Sequence, residues 1–140
     1  MPNKHRILLV DDDADLLRLI SVRLSANDYE VIAVNNAEDA LVKLGSFRPH
    51  VLVTDLRMPG MDGATMLRKL KEENPDVMMI LLTGHADFEF GGSQALQSGM
   101  LFKILNKPCP PQKLSAVIRA AIDEKNNKDT VEEKAPDTVL

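Results

Sequence analysis

The chain has 140 residues, of which 44% are hydrophobic and 27% charged, with a formal net charge of −4, enough for one domain with a real core. The acidic balance and the absence of Trp exclude a phosphate-binding surface of clustered Lys and Arg and an aromatic stacking platform, so no direct nucleic-acid contact is expected. No apolar run approaches the roughly 20 residues of a membrane span, no signal-peptide apolar region follows Met1, and the single cysteine, Cys109, fits a reducing compartment, so a cytoplasmic domain off the membrane is expected.

Arg6 to Val10 is an apolar run with strand character that stops abruptly at Asp11-Asp12-Asp13. Ala14 to Ala26 carries Leu16, Leu17, Ile20 and Leu24 at helical spacing, with Asp13 placed to cap it and Asp15 suited to its electropositive first turn. Glu30 to Val34 is a second strand. Ala37 to Gly45 is a helix packing through Ala40, Leu41 and Leu44, with Gly45 as its stop. His50 to Thr54 is a third strand, apolar without alternation, as suits a strand covered on both faces. It runs into Asp55 and a turn rich in Pro and Gly, Met58-Pro59-Gly60-Met61-Asp62-Gly63.

A third helix spans Gly63 or Ala64 to Glu73, with Met66, Leu67 and Leu70 inward, and Asn74-Pro75-Asp76 ends it. Val77 to Leu82 is a fourth strand, ending at Thr83-Gly84. A helix over about 86–98 contains Gly91-Gly92, each costing about 1 kcal/mol relative to Ala. Leu101 to Leu105 is a fifth strand, interrupted by Lys103 and so expected at an edge. The last helix runs from Pro111 to Lys125, with Leu114, Val117, Ile118, Ala121 and Ile122 on one face. Residues 126–140 are charged and read as a frayed helix end followed by a tail or linker. Five strands alternating with five helices imply a doubly wound α/β fold: a parallel sheet with helices on both faces.

In such sheets ligands bind at the carboxyl ends of the strands. Those ends deliver Asp11 and Asp12 from the first strand, Asp55 from the third, Thr83 from the fourth and Lys107 after the fifth. Taken singly each has a plainer reading: a helix-start charge run, a strand-end cap, a strand-end hydroxyl, a loop lysine. Together, three converging carboxylates suit a hard divalent cation such as Mg²⁺. With a hydroxyl and an ammonium beside it, the cluster becomes a receptor for a phosphoryl group.

Leu9-Val10-Asp11-Asp12, Asp55-Leu56-Arg57-Met58-Pro59-Gly60-Met61-Asp62-Gly63, Leu82-Thr83-Gly84 and Lys107-Pro108, in that order, resemble the receiver domain of two-component response regulators over about residues 5–125. The resemblance implies a flavodoxin-like sheet of order 2-1-3-4-5. It implies that Asp55 is the phospho-acceptor attacking a phosphohistidine on a sensor histidine kinase or histidine phosphotransfer protein. Asp12 would be a direct Mg²⁺ ligand, Asp11 a water-mediated one, and the Arg57 main-chain carbonyl a further ligand. Thr83 would hydrogen-bond the acyl phosphate and Lys107 would pair with its charge. A cis Lys107–Pro108 bond is common in the family. Such a domain is a self-catalysed acceptor with slow autodephosphorylation, not a turnover enzyme, and it signals to an output domain or partner through residues 86–105, or as a homodimer.

The chain departs from the family at Ile104, where Tyr or Phe is common three residues before the lysine, and this argues against an aromatic rotamer switch there. Gly91-Gly92 implies a labile fourth helix that phosphorylation orders. Cys109 reads as a small buried hydrophobe. Two other functions compete. One is a Mg²⁺-dependent phosphohydrolase with Asp11 as nucleophile and Asp13 as general acid. The other is a phosphorylation-independent interaction module.

Overall fold

The computed structural model describes residues 4–55, 63–84 and 102–138. Among them are five strands and four helices: β1 (Arg6–Val10), α1 (Ala14–Ala26), β2 (Glu30–Val34), α2 (Ala37–Phe47), β3 (Val51–Thr54), α3 (Gly63–Glu73), β4 (Met78–Thr83), β5 (Lys103–Asn106) and α4 (Pro111–Thr138). All strand pairs are parallel and the sheet order is β2-β1-β3-β4-β5. This is the doubly wound, flavodoxin-like architecture expected from the sequence. The helix expected over 86–98, with its glycine pair, and the loop carrying Arg57 lie outside the described residues.

The sheet divides the core in two because successive side chains leave a strand on opposite faces. Leu8, Val10, Leu52, Met79 and Leu81 join Ala40 and Leu44 of α2 and Leu67 and Leu70 of α3 on one side. Ile7, Leu9, Val51, Val53, Ile80 and Leu82 join Leu17, Ile20 and Leu24 of α1 and Leu114, Ile118, Ala121 and Ile122 of α4 on the other. The central strands β1, β3 and β4 are therefore apolar on both faces. The edge strand β5 has Lys103 and Asn106 exposed, with only Leu105 fully buried. Ile104 is half-buried against the first of these clusters and Phe102 against the second.

Two helix ends differ from the sequence expectation. α2 runs through Gly45 to Phe47 and stops at Arg48, which adopts the left-handed conformation (φ 51). The Arg6 Nε donates to the carbonyls of Phe47 and Arg48 at 2.9 and 3.0 Å, closing that terminus. Gly45 lies inside the helix, where a Cβ would stand 3.1 Å from Oε1 of the exposed Glu73 side chain of α3. α4 continues past Lys125 to Thr138. Among the side chains described, Ile122 is the last buried one of α4, and the sequence of the continuation includes helix-favouring residues such as Glu132, Glu133 and Lys134. No helix among the described residues is long and apolar enough to cross a membrane.

Candidate functional site

The acid cluster is a product of strand register. Val10 of β1 pairs with Thr54 of β3, so the next residue on each strand, Asp11 and Asp55, emerges side by side at the carboxyl edge. The Asp55 N–H donates to the Val10 carbonyl at 3.2 Å, extending the ladder by one bond beyond the strands. Both carboxylates are nearly enclosed, at 3% and 4% exposure, whereas Asp12 is exposed. Oxygens of Asp11, Asp12 and Asp55 lie within 4.8 Å of one another.

Lys107 follows the far edge strand, yet its Nζ reaches Oδ2 of Asp11 and Oδ2 of Asp55, each at 2.7 Å. Its main-chain N–H donates to the Thr83 carbonyl at 2.7 Å, and the Lys107–Pro108 peptide is cis, as in the family it resembles. Burial on its own would lower the Lys107 pKa, but the hydrogen bonds and charges of Asp11 and Asp55 outweigh it and raise the value above the usual 10.5. One ammonium thus neutralises much of the repulsion between two enclosed carboxylates. Thr83 ends β4 fully buried.

Of the residues singled out from the sequence, the structure brings Asp11, Asp12, Asp55 and Lys107 together and places Thr83 in backbone contact with Lys107. Arg57 lies outside the described residues. Cys109 is half-buried, not the buried hydrophobe expected from the sequence, and burial pushes its thiol pKa up despite the nearby Lys113.

Asp13 caps α1: its Oδ1 accepts from the N–H groups of Asp15 and Leu16, both at 3.1 Å. A carboxylate committed as an acceptor is poorly suited to donate a proton, which weighs against the hydrolase arrangement.

Two supporting contacts were not foreseen. The Asp13 N–H donates to Asp11 Oδ1 at 2.9 Å. The buried Thr54 hydroxyl donates to the Asp55 carbonyl at 3.1 Å. The capping position of Asp13 was the only sequence signal for the first; nothing in the sequence marked the second.

The donor set is all oxygen, three carboxylates and no sulfur or imidazole, which matches a hard cation such as Mg²⁺. Ligands of doubly wound sheets bind at the carboxyl ends of the strands, and here that edge carries the carboxylate cluster and its bridging lysine. The family model described as response regulator receiver domain matches residues 7–119, and the chain belongs to that family.

The C4-dicarboxylate transport transcriptional regulatory protein DctD of Rhizobium meliloti (strain 1021) is 34% identical over 119 residues, covering 85% of this chain and 25% of the relative. This chain spans about a quarter of such regulators. A solved receiver domain protein (CheY-like) from Methanospirillum hungatei JF-1 superimposes with a TM-score of 0.82 at 28% identity, covering 90% of this chain and 99% of the other. A solved chain described as adenylate cyclase from Rhodopirellula baltica gives 0.85 at 34% identity, covering 96% and 98%.

Proposed function

We propose that this receiver domain is a phosphorylation-controlled switch in which Asp55 accepts a phosphoryl group from a phosphohistidine on a sensor histidine kinase or histidine phosphotransfer protein. The observation that carries the reading is the setting of Asp55: an enclosed carboxylate at a strand end, 2.7 Å from an ammonium and within 4.8 Å of two further acids. An Asp55 oxygen attacks phosphorus and the new O–P bond forms. The P–N bond breaks, and the imidazole leaves with the bonding pair and is protonated. Lys107 pairs with the phosphoryl charge, and Thr83 donates its hydroxyl to it. Asp11, Asp12 and Asp55, with the Arg57 carbonyl, would hold Mg²⁺. When bound, the ion supplies charge neutralisation to the phosphoryl oxygens. Positioning and charge account for most of such a transfer, and the rigid strand ends supply the positioning.

The domain extends over residues 5–125, works in the cytoplasm, and signals through residues 86–105 to an output domain or another protein, with a second copy of this chain as an alternative partner. Slow hydrolysis of the acyl phosphate by its own site resets it.

Incubation with acetyl phosphate and Mg²⁺, followed by mass spectrometry and peptide mapping, tests the reading. One added phosphoryl group on Asp55, absent from Asp55→Asn, is expected. Undiminished labelling of the Asn variant, or mapping to Asp11, would sink it. Partner affinity unmoved by beryllofluoride and Mg²⁺ would favour the phosphorylation-independent module.

A further inference from the structure

We propose that Asp13 is a positioning residue for the acid pocket: by capping α1 it fixes the main-chain N–H that orients Asp11. The inference rests on the Mg²⁺-dependent reading above and assigns a residue to its upkeep.

Asp11 is held from both ends. Its Oδ2 takes the Lys107 ammonium at 2.7 Å, and its Oδ1 takes the Asp13 N–H at 2.9 Å. Asp13 is in turn anchored by the first turn of α1. Its Oδ1 accepts from Asp15 and Leu16, and its carbonyl accepts from the Leu17 N–H at 3.0 Å. Three bonds from the helix therefore fix Asp13, the residue whose N–H holds Asp11.

Packing alone leaves that turn less determined. A cavity of about 10 Å³, lined by Leu9, Asp11, Leu16, Leu17, Val53 and Leu82 among others, lies between α1 and the sheet. It has room for roughly one water. Without the cap, the first turn could shift into this space and carry the Asp13 N–H off the Asp11 oxygen. Groups that orient a metal ligand through a hydrogen bond typically matter about 10- to 100-fold in metal affinity. Here the N–H itself survives substitution and only its placement loosens, so the lower end applies.

The test is a Mg²⁺ titration of the full chain followed by amide chemical shifts, whose dispersion also reports that each variant is folded. Asp13→Ala should weaken Mg²⁺ binding about tenfold. Asp13→Asn keeps a capping oxygen but drops the charge, and should bind within about twofold of the parent on the same reasoning. Asn36→Ala removes the cap of α2, where the Asn36 side chain accepts from the Asp39 N–H at 2.8 Å, and should leave Mg²⁺ affinity unchanged.

Equal losses in Asp13→Ala and Asp13→Asn would assign the effect to charge and overturn the inference. So would an unaltered Asp13→Ala, or an equal loss in Asn36→Ala. A parent chain with no Mg²⁺ response would overturn the metal site itself and this inference with it, whereas labelling of Asp55→Asn by acetyl phosphate would refute only the acceptor role.

Discussion

Replacing Lys107 with Met is the most direct probe of how the carboxylate pair is tolerated. The substitution keeps much of the stem's volume and removes the charge. Two unit charges 4.8 Å apart, the outer limit for the cluster, repel by about 3.5 kcal/mol at an effective dielectric constant of about 20. Water entry and proton uptake relieve part of that strain. The Lys107 side chain also retains 27% exposure, so the loss should fall below the roughly 3–5 kcal/mol of a fully buried pair, at about 2–3 kcal/mol. For a domain of this size that corresponds to a melting temperature lower by roughly 5–10 °C.

The assay is thermal unfolding by circular dichroism, in EDTA and in millimolar Mg²⁺. A cation bound between the acids replaces the missing positive charge, so Mg²⁺ should raise the melting temperature of Lys107→Met more than that of the parent. If the variant melts with the parent in EDTA, or gains less from Mg²⁺, then Lys107 is not what offsets the repulsion.

The same ion pair predicts an alkaline limit. The Lys107 pKa is raised on folding, so its contribution is complete below the unfolded value of 10.5 and fades as pH climbs through the higher folded value. The melting difference between parent and Lys107→Met should therefore hold constant up to that pH and shrink only beyond it. Narrowing already at about pH 9 would contradict the direction of the shift. Asp12→Ala should raise the melting temperature of the metal-free protein by relieving repulsion, and should abolish the rise that Mg²⁺ produces in the parent. An equal Mg²⁺ response in both proteins counts against Asp12 as part of the cation site.

Much of the fold could be read from local signals because the central strands are uninterrupted apolar runs that end at charged residues. β1 and β2 have the expected bounds, as does α1 with its Asp13 cap. Where reading failed, a distant contact decided the outcome. Gly45 has the composition of a helix stop, but the helix runs on, and Arg6 from β1 closes it at the carbonyls of Phe47 and Arg48. The extent of α4 beyond Lys125 could not be judged from apolar periodicity, since residues 126–140 are mostly charged and polar.

At the site, the identity of Asp11, Asp12, Asp55 and Lys107 was visible as residue types at strand ends. The bridge from one lysine to two aspartates was not, because β5 and β1 are separated in the sheet by β4 and β3. Only the three-dimensional register brings those ends within a side chain's reach.

That register has a further consequence. Side-chain alternation normally tells a strand how to align with its neighbours, since a one-step slip turns its apolar set outward. β1 and β3 lack this safeguard: both of their faces are apolar, and a slip would exchange one greasy surface for another. What forbids it is the pair of aspartates, because sliding either strand inward by one place would drag a carboxylate into the interior. The clustered acids therefore double as end-stops for the folding sheet, and trading both for leucine would remove that alignment mark together with the cluster.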